Sequence, residues 1–274
     1  MPIITLLTDF GTNNEYVGAM KGVILSINPS VRVIDIHHQL DPHDMIGAAY
    51  QVKAYYSFFP PGTIHVVVVD PGVGGDRHVI AVELNGYIFL SPDNGVLSLL
   101  IDKGHVQRIH YVENENYWLK PVSNTFHGRD IFAPVAAHLS LGEEIRKIGK
   151  PADIHQVCLL SLEKAFFSDE GQLVGSIVSI DRFGNLITNI ERSAIDQLSG
   201  SIAHGRIEIR IHNQRIRGLS SSYDRVAHKE PLAIIGSRGY LEIAVNRGNA
   251  QNLLSAVSGD KVYVSLSNHK EYFI

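Results

Sequence analysis

Val66-Val67-Val68-Val69-Asp70-Pro71-Gly72-Val73-Gly74-Gly75-Asp76-Arg77 is the stretch from which the rest of the chain is read. Four consecutive valines describe a strand buried on both faces, the usual state of a central parallel strand. The run stops abruptly. Pro71 has no N–H to give a ladder, and Gly72, Gly74 and Gly75 allow backbone shapes closed to other residues. A carboxylate thus sits where a buried strand ends, followed by an open turn carrying Asp76 and Arg77. In open α/β sheets ligands bind outside the carboxyl ends of the strands. Asp70 is therefore either a ligand-facing group or a turn cap, and this stretch alone leaves both open.

Outward from it, strand and helix signals alternate. Residues 3–8 read as a buried strand ending at Asp9-Phe10-Gly11, and Tyr16, Met20, Val23, Ile24 and Ile27 recur at helical spacing until Asn28-Pro29. A strand at 31–36 leads into the polar turn His37-His38-Gln39-Leu40-Asp41-Pro42-His43-Asp44. Asp44 is an N-cap for an amphipathic helix at 45–58. Downstream, strands at 78–84 and 87–90 flank Asn85-Gly86, the strongest hairpin signal in the chain. Ser91-Pro92-Asp93-Asn94-Gly95 precedes a short helix near 96–102 and a strand at 106–112. Thr125-Phe126-His127-Gly128-Arg129-Asp130 opens a helix at about 130–141 with Ile131, Val135 and Leu139 on one face. This order predicts an α/β N-terminal domain over 1–160, with a mostly parallel central sheet flanked by helices.

The pattern changes after about residue 160. Short alternating β-branched segments at 173–181, 185–190, 206–211, 214–218, 232–236, 240–245 and 261–266 are punctuated by Gly, Asn and Ser. They predict a smaller all-β, barrel-like C-terminal domain over 165–274.

The 274 residues are 45% hydrophobic, enough for two cores, and the net charge of −4 argues against nucleic-acid binding. The one cysteine, Cys158, rules out an intrachain disulfide and fits a reducing, cytoplasmic setting. The N-terminus lacks a basic region and its apolar run ends at Asp9, which suits a first strand better than a signal peptide. No apolar stretch is long enough to span a bilayer.

Several chemistries compete for the turns. The Asp70 turn lacks both G-x-G-x-x-G and G-K-[ST], so phosphate binding has little support. The His37–Asp44 stretch holds metal-ligand residue types, but adjacent His37 and His38 point apart on a strand and no H-E-x-x-H exists, so no metal is expected. No G-x-S-x-G elbow is present, and Cys158 lies in an apolar context. Asp70, Arg77 and His127 form a possible set for orienting and deprotonating water, although spacing alone does not bring them together. In the second domain, Phe183 could stack on a planar base and Asn185 could read its edge, or both could simply belong to a β-turn.

Taken in order, Thr8-Asp9-Phe10-Gly11, the 67–74 segment, Pro92-Asp93-Asn94-Gly95, the 125–130 segment, Asp181 to Asn185, and Gly236 to Asn246 cover nearly the whole chain. Together they resemble the S-adenosyl-L-methionine hydroxide adenosyltransferase family, which is related to the fluorinating and chlorinating enzymes that use the same substrate. The resemblance implies hydrolysis of S-adenosyl-L-methionine to adenosine and methionine by SN2 attack of activated water at ribose C5′, with no cofactor. It also implies a homotrimer with each site shared between neighbouring subunits.

By motif, Asp9 is expected to hold the ribose, and Asp70, Arg77 and His127 to activate water. Asp181, Ser237 and the adjoining Tyr240 turn are expected at the methionine, and Phe183, Asn185, Asn246 and Arg247 at the adenine. The halide-using relatives carry tyrosine where this chain has Asp70 and His127, and tryptophan at the place of His43. A carboxylate at position 70 would repel a halide, so the departure favours water. The rivals are a halide-dependent 5′-halo-5′-deoxyadenosine synthase and a non-catalytic adenosine- or S-adenosyl-L-methionine-binding module.

Overall fold

The computed structural model describes residues 1–101, 105–200 and 207–267. The chain divides into two units, Met1–Ser161 and Leu162–Ile274.

The first unit runs β1 (Ile3–Thr8), α1 (Tyr16–Ile27), β2 (Arg32–His37), α2 (Met45–Tyr55), β3 (Ile64–Val68), β4 (Val79–Leu84), β5 (Tyr87–Pro92), α3 (Ser98–Ile101), β6 (Val106–Tyr111) and α4 (Ala133–Ser140). Its sheet has the order β2-β1-β3-β5-β4-β6. The β1–β2, β1–β3 and β3–β5 pairs are parallel, and only β4 runs against its neighbours. The reversal is local: Asn85 and Gly86 take φ of 52° and 81°, the left-handed pair a two-residue hairpin requires.

The valine run does what its composition demands. Val66 and Val68 enter one core with Met20 and Ile24 of α1 and Val135 of α4, while Val67 and Val69 enter the other with Val52 of α2 and Leu100 of α3. All four are buried. Each such side chain stabilises by about 1.5–3 kcal/mol over an exposed one. Helices therefore cover both faces of β3, and its C-terminal end is where backbone can open to a ligand. Asp44 caps α2 as expected, accepting from the Gly47 N–H at 2.8 Å.

The helix expected at about 130–141 begins differently. Residues 128–132 form a single π-turn, with the Ala133 N–H reaching the Gly128 carbonyl, and the α-helix follows from Ala133. Pro134 contributes to this break, because it has no N–H to give the Asp130 carbonyl four residues back. That carbonyl accepts from the Leu119 N–H at 2.8 Å instead, and the Asp130 carboxylate accepts from the Ser123 N–H at 2.8 Å. The loop before His127 is thus fastened at two points to one residue. The short helix expected near 96–102 is seen as far as Ile101, and residue 102 lies outside the described residues.

The second unit comprises β7 (Phe166–Phe167), β8 (Leu173–Ile180), β9 (Leu186–Glu191), α5 (Arg192–Ser199), β10 (Ile207–Ile211), β11 (Gln214–Arg217), β12 (Pro231–Ile235), β13 (Tyr240–Val245), α6 (Ala250–Leu254) and β14 (Lys261–Leu266). An antiparallel sheet of order β11-β10-β14-β8-β9-β13-β12 curls until β11 approaches β12, a nearly closed barrel. Leu173, Ile190, Ile209, Leu241 and Val264 fill it. The strand expected from 206 is described from Ile207, residue 206 lying outside the described residues. Among the described residues no helix is long and apolar enough to cross a membrane.

Candidate active site

Asp70 leaves the end of β3 with its side chain 4% exposed, and Arg77 returns to it from the far side of the glycine turn with its side chain 12% exposed. Arg77 Nε donates to Asp70 Oδ1 at 3.0 Å and to Oδ2 at 3.1 Å, and Nη2 donates to Oδ2 as well. The same Nη2 lies 2.8 Å from His127 Nδ1. Arginine stays protonated, so Arg77 is the donor and His127 Nδ1 the acceptor. The imidazole then carries its proton on Nε2. Burial, aided by the charge of Arg77, holds His127 below the usual histidine range, while Asp70 and Asp130 pull the other way.

Fifty residues separate Arg77 from His127, and a glycine closes that gap. A Cβ at Gly74, whose φ is 77°, would lie 2.1 Å from the Asn124 carbonyl oxygen. Only glycine lets the Asp70 turn come this close to the loop that carries His127. Gly128 plays a similar part: a Cβ there would press on Met20 and the Phe10 ring at 3.2 Å.

Asp70 and His127 share a cleft of about 300 Å³ with Asp9, His43 and Thr125. Asp9 Oδ2 accepts the His43 N–H at 2.9 Å, which turns its other oxygen free for a ligand hydroxyl. Phe10, Tyr16 and Phe126 also line the cleft and meet edge-to-face, with ring centroids 4.9–6.0 Å apart. The sequence reading gave these three aromatics no role. Phe10 and Phe126 stood inside quoted motifs, whereas nothing in the spacing of Tyr16 distinguished it from a core residue.

The histidine-rich turn braces this cleft. His38 is buried, with Nδ1 2.9 Å from Thr8 Oγ1 and Nε2 3.0 Å from Asp35 Oδ1. Its carbonyl accepts the Gly11 N–H, and His43 supplies Asp9 through its backbone. Among the described residues no group of three or more His, Cys, Asp or Glu side chains could hold a metal ion. Asp93 and Asn94 are structural: Asp93 Oδ1 accepts from the Cys158 N–H at 2.9 Å, and Asn94 Nδ2 donates to the Val69 carbonyl at 2.8 Å.

The second unit has its own polar cavity, about 140 Å³, bordered by Asp181, Tyr223, Ser237, Arg238, Tyr240 and Glu242. Two hairpins of one design contribute to it. In each, the N–H of a left-handed glycine closes the turn: Gly184 to the Asp181 carbonyl and Gly239 to the Gly236 carbonyl, both at 2.9 Å. Asp181 Oδ1 accepts the N–H groups of Phe183 and Asn185 at 2.8 and 2.9 Å, and Oδ2 accepts Asn185 Nδ2 at 2.9 Å. Phe183 is left 74% exposed. Asn246 and Arg247 follow β13, with Asn246 Nδ2 donating to the Val226 carbonyl and Arg247 at a φ of 51°. The geometry brings Asp181, Ser237 and Tyr240 to one cavity and ties Asn185 to Asp181. Phe183, Asn246 and Arg247 stand outside that cavity. Tyr223 and Glu242 went unnoticed in sequence, since neither sits in a glycine turn.

Comparison with known proteins gives a consistent picture. Residues 4–149 match the family model described as the SAM hydroxide adenosyltransferase N-terminal domain, and residues 175–263 match its C-terminal domain. A protein of Methanocaldococcus jannaschii named (R)-S-adenosyl-L-methionine hydrolase is 34% identical, over 96% of each chain. A protein of Actinopolyspora mzabensis named fluorinase is 25% identical over 97% of this chain and 98% of its own. The crystal structure of a conserved protein from Thermotoga maritima is 36% identical, with a TM-score of 0.89 over 96% of this chain and 99% of that one.

Proposed function

The chain belongs to the S-adenosyl-L-methionine hydroxide adenosyltransferase family, and from that membership we infer that it hydrolyses S-adenosyl-L-methionine to adenosine and L-methionine. The observation that carries the reading is the linked Asp70–Arg77–His127 set at the cleft holding Asp9. Water attacks C5′ of the ribose in line with the C5′–S bond. As the new C–O bond forms, the C5′–S electron pair returns to sulfur and methionine leaves as a neutral thioether, so the leaving group needs no general acid.

His127 Nε2–H donates to the water and Asp70 Oδ1 accepts one of its hydrogens, which fixes the oxygen for attack. Because His127 Nδ1 is occupied by Arg77, the excess proton goes to Asp70 and on to solvent. The Asp70 charge also opposes a halide at this position. Asp9 takes the ribose hydroxyls, with the aromatic trio excluding water around the sugar. Phe183, Asn185, Asn246 and Arg247 take the adenine, and the polar cavity of the second unit takes the methionine end.

The reacting set and the ribose contacts lie in the first unit, and the contacts for the adenine and the methionine end lie in the second. This supports sites completed between neighbouring copies in a homotrimer. Neutral release of the thioether supports a reaction without metal or cofactor. The single Cys158 supports a cytoplasmic setting.

The test is a mass-spectrometric product assay in ¹⁸O-water with chelator present, with chloride and fluoride in parallel. Adenosine labelled at its 5′ oxygen is the expected product. A 5′-halo-5′-deoxyadenosine, or binding without turnover, would falsify the assignment.

A further inference from the structure

We infer that His38 is a positioning residue for the ribose-binding carboxylate Asp9. Acting through Thr8, it holds the Asp9-Phe10-Gly11 segment in the form that prefers a sugar with free 2′- and 3′-hydroxyls. The inference rests on the hydrolase reading and deepens it.

Asp9 is the first residue beyond β1. The His43 N–H fixes its Oδ2 but not the backbone that carries it. That backbone is held from beneath. The Phe10 N–H donates to Thr8 Oγ1 at 3.3 Å, and the Gly11 N–H donates to the His38 carbonyl at 2.6 Å. Thr8 Oγ1 lies 2.9 Å from His38 Nδ1. His38 Nε2 lies 3.0 Å from Asp35 Oδ1, and Asp35 Oδ2 accepts from Lys21 Nζ at 2.5 Å. Thr8 is fully buried and His38 nearly so, whereas Asp35 and Lys21 reach the surface. Neither Thr8 nor His38 lines the cleft.

This chain of bonds has one direction. Against the cost of burial, the Lys21 and His38 hydrogen bonds hold the Asp35 carboxyl below its ordinary range. A carboxylate only accepts, so His38 carries its proton on Nε2. Nδ1 is then an acceptor, and the Thr8 hydroxyl donates to it. The Thr8 oxygen is left to accept from Phe10. Reversing any one bond would set two donors or two acceptors face to face.

A slip in β2 builds the arrangement. Asp35 and His38 are three residues apart and would point to opposite faces of a regular strand. Between Leu6 and Leu7 the register with β1 shifts, so that Asp35 pairs with Leu6 but His37 with Leu7. The extra residue turns His38 to the side of Asp35 and of α1, which carries Lys21. Hydroxyl, imidazole and carboxylate in this order also describe a nucleophile with its base. Thr8 has no exposed surface and its oxygen is already accepting, so it holds backbone instead of attacking. Asp9 keeps one oxygen for the ligand, and the aim of that oxygen decides whether it meets a sugar hydroxyl.

The experiment compares adenosine with 2′,3′-dideoxyadenosine, which lacks only those hydroxyls, by calorimetry on the full-length native assembly. The native chain should favour adenosine. Thr8→Val removes the hydroxyl at nearly constant shape. It should weaken adenosine about 5- to 20-fold and leave dideoxyadenosine within about twofold. Two amides then locate the acceptor. His38→Asn sets an amide oxygen near the place of Nδ1 and should bind both nucleosides within about threefold of the native chain. His38→Gln sets its amide near the place of Nε2, keeps a donor for Asp35, and should match Thr8→Val. A histidine needed only for folding would make both amides fail alike. If the Gln variant does not fold, Thr8→Val against His38→Asn decides. With S-adenosyl-L-methionine, Thr8→Val should raise KM by the same factor and hold kcat within about threefold, because Asp70, Arg77 and His127 stand on other loops.

Equal loss of both nucleosides in Thr8→Val, the same loss in the Asn and Gln variants, an unchanged preference for adenosine, or no adenosine binding by the native chain overturns the inference, even where S-adenosyl-L-methionine is hydrolysed. A hydroxyl preference that depends on Thr8 and His38, without adenosine formation from S-adenosyl-L-methionine, would sink the hydrolase reading and leave this one standing.

Discussion

Asp70 and Asp181 look alike in sequence. Each follows a strand and each opens a turn with glycine within three residues. The folded chain uses them in opposite ways. Asp181 turns inward on its own hairpin and is satisfied by residues two and four positions on. At Asp70, Pro71 and the glycines carry the chain away, and the carboxylate is met instead by Arg77 seven residues on and, through it, by His127. A carboxylate satisfied by nearby backbone holds a turn. A carboxylate satisfied by a distant charged side chain is positioned for use, because its partner can be shared with a third group.

The contrast can be tested by exchanging what each residue loses. Asp70→Asn keeps the shape and removes the charge. It should lower kcat about 10²- to 10⁴-fold with little change in melting temperature, measured by adenosine release and thermal unfolding. A melting loss without a kcat loss would return Asp70 to the role of turn cap.

Gly74→Ala leaves all three reacting groups present but separates them. The new methyl collides with the Asn124 carbonyl and disfavours the left-handed backbone, so kcat/KM should fall about 10²-fold while adenosine remains the product. Asp181→Ala should act mainly on folding. Loss of its turn bonds should destabilise the second unit by about 2 kcal/mol in denaturant titration and raise KM more than it lowers kcat.

The smallest effect is set by pH. Because His127 is depressed in the folded chain, its contribution to stability is complete above the unfolded value near 6.5 and is lost as the pH falls below it. Its imidazole should therefore remain neutral somewhat below pH 6.5. NMR titration of the His127 ring should place its midpoint below that of exposed histidines. A midpoint above them would mean that Asp70 and Asp130, not burial and Arg77, dominate its surroundings.

Much of this architecture was legible before any coordinates. The valine run, the Asn85-Gly86 hairpin and the alternation of the second unit each carry a local signal strong enough to fix an element. The helices α5 and α6 were passed over for an equally local reason. They are eight and five residues long, so the apolar face of α5, Ile195 and Leu198 with Ser199, spans little more than one turn and α6 buries only Ala250, too little to show a repeated period against the surrounding strands. The π-turn before α4 was also hidden. Pro134 suggests a break there, but the choice of π over α geometry depends on where Leu119 and Ser123 come to lie. The cluster of Asp70, Arg77 and His127 could be nominated from sequence, yet its closure rests on the contact between Gly74 and Asn124. Glu242 was invisible for a further reason. A glutamate inside an alternating strand reads as an outward, solvated residue; Glu242 does face away from the core that holds Leu241 and Ile243, but Tyr223 and the hairpin at Gly236 cover it.

Pro134 shows how a defect can serve as an address. An α-helix with every internal bond in place presents no vacant carbonyl at its entrance, and a loop passing there can attach only through side chains. By withholding one N–H, Pro134 leaves the Asp130 carbonyl open to a single well-aimed caller, and Leu119 answers it. The loop's course toward His127 is therefore encoded partly in a residue that touches neither substrate nor reacting group. An alanine at that position would offer the helix its own bond back, setting helix and loop in competition for one oxygen.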